Sequence, residues 1–313
     1  MGPCPACEAS DARILFRSTD RLFHTTSQEF SIIECAGCGL IRLHPWPPPH
    51  ELRRYYPPNY WFNPEGLGNR AAETYRRFVV QDHVRFALRA IADSGEDGLV
   101  VDVGCGGGLF LQMLAQHGHA VLGIDFSLDA ASVAWHGQGV PAVCADFLRP
   151  PLEPACCCAI TMFHVLEHLY DPAGYLDTAY RLLKPQGRLI VQVPNASSWQ
   201  FLLLGECWSG LDVPRHLFDF RERDLEILLD SCGFQVLRKK HFSLRDNPAS
   251  LATSLAPWLD PMARRIRRIS ESPRMQLFKD LAYLALVAAS VPFAALEAAC
   301  QAGSTIMMEA RKK

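Results

Sequence analysis

The sequence predicts an α/β protein with a doubly wound parallel sheet, a small metal-binding module before it and a helical segment near the C-terminus. Three observations support this fold class. Strand-like and helix-like segments alternate from Leu99 onward, two Cys-x-x-Cys pairs lie near the N-terminus, and a glycine-rich turn at 104–108 joins the first strand of the alternation to its helix. The chain has 313 residues, of which 49% are hydrophobic, enough for one such domain with a substantial core and a small appendage.

Charge and cysteine usage narrow the functional classes. The net charge of −2 offers no general attraction to polyanions, so we expect no nucleic-acid partner. The first residues lack the basic and then apolar layout of a secretory signal. The chain has 12 cysteines, and the consecutive Cys156–Cys158 suit buried thiols better than a disulfide scheme. We therefore expect a cytoplasmic location.

Residues 1–44 are predicted to form a zinc ribbon. Two Cys-x-x-Cys pairs are separated by 27 residues, and each two-residue spacer allows both sulfurs of a pair to reach one metal ion. The four predicted ligands are Cys4, Cys7, Cys35 and Cys38. Strand-like runs at 13–16 and 30–33 lie between the pairs, and four thiolates leave no open coordination position, so the zinc is expected to be structural. The alternative, a redox dithiol, needs one such pair at a helix start beside a βαβ unit.

Residues 45–97 are predicted to form a linker and an N-terminal helix. Prolines and aromatic residues dominate 45–64, and the prolines favour extended structure over helix. This stretch is either a plain linker or a cover over a binding cleft, with aromatic side chains lining a substrate site. Those side chains are Tyr55, Tyr56, Tyr60 and Trp61. Apolar residues at helical spacing then predict a helix over 70–93.

The core domain is predicted to span 98–243, and it opens with a ligand-binding turn. Strand 99–103 carries Asp102, and glycines in the following turn allow a ligand to approach the backbone closely. The turn residues assigned to cofactor binding are Gly104, Cys105, Gly106 and Gly108. A dinucleotide fingerprint would place its third glycine where Leu109 stands, and Asp102 would repel a pyrophosphate. The pattern therefore favours a cationic ligand.

At this point the chain resembles the class I S-adenosylmethionine-dependent methyltransferases, whose cofactor carries a sulfonium and an ammonium group. The resemblance implies a Rossmann-like sheet of seven strands, parallel except for an antiparallel last strand. Helix 109–116 and strand 120–124 agree with it, and Asp125 and Phe126 follow as cofactor-binding candidates. An acid at the end of the second strand meets the ribose hydroxyls in nucleotide-binding sheets. The alternative for Asp125 is a helix N-cap, a role that Ser127 could also fill.

The third and fourth strands of the core carry further candidates. Strand 141–144 is followed by Asp146 and Phe147. The resemblance implies that Asp146 accepts from the adenine amino group and that Phe147 contacts the ring, whereas the alternative for Asp146 is an ordinary loop acid. Strand 157–162 then runs directly into the segment Phe163–His168.

His164-x-x-Glu167-His168 matches the inverted zinc-peptidase motif, but that chemistry needs both histidines on one helix face. A loop is predicted instead, because a strand ends near 162 and Asp171-Pro172 begins the next helix. This loop lies at the carboxyl edge of the sheet, where ligands bind, with His164 expected on the cofactor side. It resembles the ubiquinone-biosynthesis O-methyltransferases, in which a Glu at the place of His164, with the following Glu-His, can hold a divalent metal near the substrate hydroxyl. In the alternative, Glu167 and His168 only pin the loop by hydrogen bonds.

A second candidate base lies further along the chain. Pro214-x-His216-x-x-x-Phe220 is an element that recurs in methyltransferases of this kind. His216 and His168 are the candidate bases, because an imidazole titrates near neutrality. The alternative for His216 is a buried, hydrogen-bonded histidine. The remaining predicted elements of the core are a helix up to Leu183, strand 188–193, helix 222–232 and strand 234–239.

Residues 244–303 form a predicted helical insertion, and 304–313 hold the last strand of the core. The segment 264–296 combines a basic stretch with the uncharged run 281–296. Sixteen residues fall short of the roughly twenty that span a bilayer, and Pro292 is expected to interrupt them. The segment could lie on a membrane surface. We favour the alternatives, a helical lid or a homodimer interface, because the sequence shows no second membrane signal.

The resemblance implies methyl transfer from S-adenosylmethionine to a small-molecule acceptor. We expect a hydroxyl oxygen on a quinol, a sugar or another natural product. Asp102 would orient the glycine turn and the methionine ammonium, and Glu167 would orient a histidine base or hold a divalent metal. Two other functions stay open: a nicotinamide-dependent oxidoreductase, against which Asp102 and Leu109 argue, and an inactive methyltransferase fold that only binds a partner.

Overall fold

The computed structural model describes residues 2–57 and 69–313, except for the side chains of Arg53 and residues 69–72. The chain forms two compact units, each built from three stretches. Unit 1 contains Met1–Tyr60, Pro194–Asp224 and Asp246–Ile306, and unit 2 contains Trp61–Val193, Leu225–Arg245 and Met307–Lys313. The domain boundaries expected from the sequence stay a prediction.

Within the described residues, the strands are β1 (Ala12–Ser18), β2 (Phe30–Cys35), β3 (Ile41–His44), β4 (Leu99–Val103), β5 (Ala120–Asp125), β6 (Ala142–Cys144), β7 (Cys157–Phe163), β8 (Leu183–Pro194), β9 (Phe218–Asp219), β10 (Phe234–Lys240) and β11 (Thr305–Lys312). The α-helices are α1 (Asn69–Ser94), α2 (Leu109–Gln116), α3 (Leu128–Ser132), α4 (Pro172–Leu182), α5 (Trp199–Leu204), α6 (Glu222–Ser231), α7 (Asn247–Leu255), α8 (Pro261–Ile266) and α9 (Pro273–Ala299).

Unit 2 is built around a seven-stranded sheet of order β10-β11-β8-β7-β4-β5-β6. The pairs β6-β5, β5-β4, β4-β7 and β7-β8 are parallel, whereas β10 and β11 pair antiparallel. The chain builds outward from β4 to β6 and then returns to β7 on the other side of β4. This reversal opens a crevice at the carboxyl ends of the central strands, where open α/β sheets bind ligands. The predicted fold class is confirmed.

Local sequence signals explain where the elements of unit 2 begin and end. The Asp171 carboxylate accepts the Gly174 amide at 2.9 Å, and Pro172 occupies the first turn of α4, as predicted. Gly233, with φ of 82°, follows the end of α6 and permits the turn into β10. Strand β7 is buried on both faces, which its run Cys157–Met162, apolar except for Thr161, allows.

Unit 1 contains a four-stranded sheet of order β1-β2-β3-β9, antiparallel throughout. Buried apolar side chains of β2 and β3, including Phe30, Ile32 and Ile41, share one face of this sheet, and Ile33 is buried on the other. The two strand-like runs of the predicted ribbon are confirmed as parts of β1 and β2. The sequence did not indicate β9, which is only two residues long and pairs with β3 across a separation of more than 170 residues.

Two expectations about proline were wrong. Pro49–Tyr55 forms a 3-10 helix, because a proline at the first position of a helix gives up an N–H that has no partner there anyway. Helix α9 continues through Pro292 over 27 residues, so the proline does not interrupt the uncharged run 281–296, and the helix extends beyond that run at both ends. By length and composition, α9 could cross a membrane. Tyr55 is buried in unit 1, while Tyr60 and Trp61 lie outside the described residues.

Candidate functional site

The glycine turn of unit 2 has a backbone conformation that disfavours residues with a side chain. Gly104, Gly106 and Gly108 adopt positive φ values of 71°, 51° and 78°. A Cβ atom at Gly104 would lie 2.8 Å from Val165 Cγ2, and one at Gly108 would lie 2.8 Å from Ala134 Cβ. Glycine is therefore required at Gly104 and Gly108 both for conformation and for space.

Asp102 lies beneath this turn, on β4, with 5% of its surface exposed. Its Oδ1 accepts a 2.5 Å hydrogen bond from the Thr161 hydroxyl on β7. Burial raises the pKa of the Asp102 carboxyl to about 7, against the effect of the Thr161 hydrogen bond, and the nearby charge of Asp125 adds to the rise. A ligand cation would favour the ionised form, which fits the predicted role of Asp102 beside an ammonium group.

Asp125 ends β5 and ties the glycine turn to the start of α3. Its Oδ2 accepts the Gly106 amide at 3.0 Å and its Oδ1 accepts the Ser127 amide at 2.8 Å. Burial raises the pKa of Asp125 in spite of these two hydrogen bonds. The Ser127 hydroxyl, not Asp125, caps α3 by accepting from Ala130. Asp125 is thus placed at the edge where a ribose would lie, and its role there stays a prediction.

Asp146 and Phe147 lie at the adjacent edge of the sheet, after β6. Asp146 Oδ1 accepts the Leu148 amide at 3.0 Å and the Tyr175 hydroxyl at 3.1 Å. The Phe147 and Tyr175 rings are 5.7 Å apart. Phe147 is buried, whereas Phe126 is 61% exposed at the end of the neighbouring strand. The structure therefore brings Asp102, Asp125 and Asp146 to the carboxyl edge of one sheet, as the sequence predicted.

His164, Glu167 and Gln192 form a hydrogen-bonded chain at the end of β7. The Gln192 amide nitrogen lies 2.9 Å from His164 Nε2, and because that amide can only donate, Nε2 accepts and Nδ1 carries the proton. His164 Nδ1 lies 3.3 Å from Glu167 Oε1. This pairing supports the alternative in which Glu167 pins the loop. Leu166–His168 is one turn of 3-10 helix, so the predicted absence of the zinc-peptidase helix is confirmed.

The two candidate bases lie in different units and are described separately. His168, in unit 2, is half-buried at the end of the 3-10 turn. His216, in unit 1, is 6% exposed, and its Nδ1 lies 2.8 Å from the Gly210 carbonyl oxygen. A carbonyl can only accept, so Nδ1 carries the proton and Nε2 carries the lone pair that a base needs. The Asp212 Oδ2 atom lies 4.0 Å from that Nε2.

The four cysteines of unit 1 fit a tetrahedral metal site. All four sulfurs lie within 4.8 Å of one another, with Cys4 and Cys38 at 3.7 Å and Cys7 and Cys35 at 3.5 Å. Sulfurs about 2.3 Å from one zinc ion in tetrahedral geometry would be about 3.8 Å apart. Backbone amides of Cys38 and Gly37 hold the pKa of the Cys35 thiol at about 6, against the effect of burial, whereas burial raises the pKa of the Cys38 thiol.

Sequence comparison identifies the family of the chain. Residues 72–239 match the sequence profile of a family described as a methyltransferase domain, which is more than half of the chain. The chain belongs to this methyltransferase domain family. The resemblance to class I S-adenosylmethionine-dependent methyltransferases is confirmed.

Curated relatives of this methyltransferase-domain protein include three bacterial enzymes. A ubiquinone biosynthesis O-methyltransferase of Pseudomonas paraeruginosa is 32% identical over 39% of this chain and 56% of its own length. One from Pectobacterium carotovorum is 29% identical over 51% of this chain and 72% of its own. A probable S-adenosylmethionine-dependent methyltransferase of Mycolicibacterium smegmatis is 30% identical over 57% and 60%. This methyltransferase-domain protein spans little more than half the length of the first of these relatives.

Among solved structures, a SAM-dependent methyltransferase from Archaeoglobus fulgidus is 17% identical, with a TM-score of 0.50 over 75% of this chain and 94% of that one. This likeness concerns the fold. Three residues that complete the site of this methyltransferase domain were missed in the sequence: Thr161, Tyr175 and Gln192. Thr161 and Gln192 sit within buried apolar strands, and Tyr175 sits in an ordinary helix turn. The available signal was that Thr161 and Gln192 are polar residues in otherwise apolar strands, and it did not specify their partners.

Proposed function

We propose that this chain is an S-adenosylmethionine-dependent methyltransferase acting on a small-molecule acceptor. The observation that carries the proposal is Asp102, a buried carboxyl under the glycine turn of β4. Within the described residues, the cation that lowers its pKa is Arg245, and its effect is the smallest of those acting on Asp102. A sulfonium cofactor with an ammonium group supplies the missing positive charge and an electrophilic methyl. Membership of the methyltransferase domain family supports the same conclusion.

The candidate residues receive the following roles in this proposal. Asp102 binds the methionine ammonium, and Asp125 binds the ribose hydroxyls while its backbone contacts keep the glycine turn in shape. Asp146 accepts from the adenine amino group through its second oxygen, and Phe147 contacts the ring. His168 or His216 takes the proton of the acceptor hydroxyl. The catalytic contribution is mainly alignment of donor and nucleophile.

Calorimetric titration of the full chain with S-adenosylmethionine and with NAD tests the cofactor. We expect S-adenosylmethionine to bind and NAD not to bind. The variant Asp125→Ala should lose S-adenosylmethionine binding while its circular dichroism spectrum is unchanged, and Asp129→Ala, an exposed acid on α3, serves as the matched control. Binding of NAD alone would favour an oxidoreductase. Binding of neither cofactor would favour a docking module, and either result would overturn the proposal.

For the acceptor we propose a hydroxyl oxygen, by analogy with relatives named ubiquinone biosynthesis O-methyltransferases. Labelled methyl transfer to a catechol-type ring and to a nucleotide sugar, followed by NMR of the product, distinguishes an oxygen-bound from a carbon-bound methyl. A carbon-bound methyl would contradict this part of the proposal. We further infer that the four cysteines hold structural zinc, which metal analysis of the purified chain and of Cys35→Ser would show.

A further inference from the structure

The polarity of helix α9 in unit 1 is the reverse of that of an ordinary surface helix. Its outward residues from the N-terminal half onward are apolar, and five of the large ones are 48–66% exposed. We define the α9 apolar face by these residues: Leu277, Phe278, Leu281, Leu284 and Leu296. Between Leu284 and Leu296 the exposed positions are alanines and Pro292. A surface helix of a water-soluble protein instead presents its charged face to solvent.

The charged residue of this part of the helix points inward. Glu297 is the only charged residue between 281 and 300, and it is fully buried. Its carboxylate accepts the backbone amide and the side-chain amide of Gln200, each at 2.9 Å. The helix therefore buries its acidic residue inside unit 1 and exposes an apolar stripe. An exposed apolar stripe of this kind is typical of a surface that binds an apolar partner.

Neighbouring segments of unit 1 extend this surface. Helix α7 packs against α9, and the α7 end carries Leu255 and Trp258 at 50% and 59% exposure. On the other side, the Trp199 ring of α5 lies 6.2 Å from the Phe293 ring, and the next turn of α5 exposes Leu202 by 70%. An exposed tryptophan beside aliphatic residues is typical of proteins that contact the boundary between lipid and water.

Basic residues lie just before the stripe. Residues 264–280 contain six arginines and lysines against two acids, a net charge of +4. The acids Glu271 and Asp280 are bound by Arg264 and Lys279. Arg268 and Arg274 are exposed at the surface. This excess of positive charge complements anionic headgroups, which attract cations close to the membrane surface.

Contacts within unit 1 exclude a membrane-crossing orientation of α9. Close to the middle of α9, the Tyr283 hydroxyl lies 2.9 Å from the Thr253 hydroxyl of α7. Near its C-terminal end, Glu297 binds Gln200, and the Gln200 side chain also donates to the Asn247 carbonyl at the start of the same α7. One helix of nine residues is thus linked to both parts of α9, so α9 lies alongside folded protein and can only rest parallel to a bilayer.

We propose that the α9 apolar face, with Arg268 and Arg274, docks this protein on the surface of an anionic phospholipid bilayer. A second copy of the chain could cover the same face, but soluble interfaces carry a polar rim and many hydrogen bonds, and this stripe has neither along residues 284–296. The docking does not depend on the proposed methyl transfer.

The test is sedimentation of the full chain with vesicles of phosphatidylcholine, alone or mixed with phosphatidylglycerol in about equal parts. We expect binding to the mixed vesicles that weakens at high salt and is much weaker on phosphatidylcholine alone. Leu281→Glu/Leu284→Glu should lower the partition coefficient by at least about tenfold. Arg268→Glu/Arg274→Glu should lower it on mixed vesicles only. The matched control is Ile227→Glu on α6, whose side chain is 55% exposed in unit 2.

Three results would overturn the docking. Wild-type protein that stays in the supernatant with mixed vesicles would do so, as would a leucine variant that binds as well as the control. Analytical ultracentrifugation that shows a dimer dissociated by Leu281→Glu/Leu284→Glu, with no vesicle binding, would assign the face to a second copy. Cofactor titration of the same variants separates this outcome from a failure of the proposed methyltransferase activity, because none of these residues belongs to the cofactor site.

Discussion

Each unit contains a group of carboxyl groups removed from solvent, and the two groups differ in how strongly a cation acts on them. In unit 1, Asp20 and Asp212 surround the fully buried guanidinium of Arg215. Arg215 donates to both Asp20 oxygens at 2.9 and 3.2 Å, to Asp212 at 2.8 and 3.0 Å, and to the Tyr55 carbonyl at 3.2 Å. In unit 2, Asp102 has the Thr161 hydroxyl as its hydrogen-bond donor, and Arg245 is the weakest of the influences on its charge.

The titration of the two groups differs accordingly. Burial opposes ionisation of Asp20, but hydrogen bonds and charge from Arg215 outweigh it and hold the pKa of that carboxyl below its usual value. Burial dominates in unit 2 and raises the pKa of both Asp102 and Asp125. A carboxylate that already has its cation is part of the framework, whereas a buried carboxyl without one is positioned for a cationic ligand.

The largest expected effect is a loss of stability when Arg215 is removed. Arg215→Ala leaves Asp20 and Asp212 buried without a counter-charge, so we expect a loss of about 3–5 kcal/mol in the free energy of unfolding at pH 7. Urea denaturation measures it. Arg17→Ala, which breaks an exposed ion pair with Glu29, is the control and should cost at most about 1 kcal/mol. Equal losses in the two variants would show that the Arg215 cluster is not structural.

The stability from Asp20 depends on pH in a defined direction. Its folded pKa lies below the unfolded value, so its contribution is present above the unfolded pKa and is lost as the pH falls through the folded one. The free energy of unfolding of Arg215→Ala should therefore differ less between pH 7 and pH 3 than that of the wild type does.

A smaller effect is expected on cofactor affinity when Asp102 is changed. Asp102→Asn removes the carboxylate proposed for the ammonium group, and we expect S-adenosylmethionine affinity to fall roughly tenfold to a hundredfold, the equivalent of one charged hydrogen bond. Calorimetry measures it, and Asp97→Asn, an exposed acid just before β4, is the control. An unchanged affinity would remove Asp102 from the site.

The pH dependence of stability that Asp102 contributes in the wild type has the opposite sign to that of Asp20. The folded pKa of Asp102, about 7, lies above its unfolded value, so the fold favours the protonated carboxyl and loses stability as the pH rises toward and through 7. Cofactor affinity of the wild type should increase between pH 6 and pH 8 as Asp102 ionises. Asp102→Asn should show neither trend.

The smallest effect concerns a residue next to the same sheet edge. Tyr175→Phe deletes the hydroxyl that donates to Asp146 and keeps the ring beside Phe147. Loss of one neutral-to-charged hydrogen bond that only positions Asp146 should weaken cofactor binding by roughly twofold to tenfold. Tyr180→Phe, on the same helix, packs against Phe234 instead and should leave the affinity unchanged. A similar loss in both variants would indicate a general effect on α4.

Much of the cofactor edge was predictable because its requirements are local. The glycine turn, the acids after β5 and β6 and the cap at Asp171 each depend on a few adjacent residues. Tyr175 and Thr161 were not predictable, because a buried polar residue in a strand or helix does not specify its partner. The strand in the Pro214–Phe220 element was not predictable either. This strand, β9, pairs with β3 in the four-stranded sheet of unit 1, and the local sequence does not specify that partner.

The sequence by itself determined the alternation of strands and helices, the Cys-x-x-Cys spacing and the glycine turn, since backbone conformation and metal geometry constrain residues that are close in the chain. Only the tertiary structure decided that Arg215 joins Asp20 across 195 positions, that Glu297 faces inward to Gln200, and that α9 exposes its apolar side. These features depend on which surfaces pack together and on which buried charges find partners, and no local pattern specifies either.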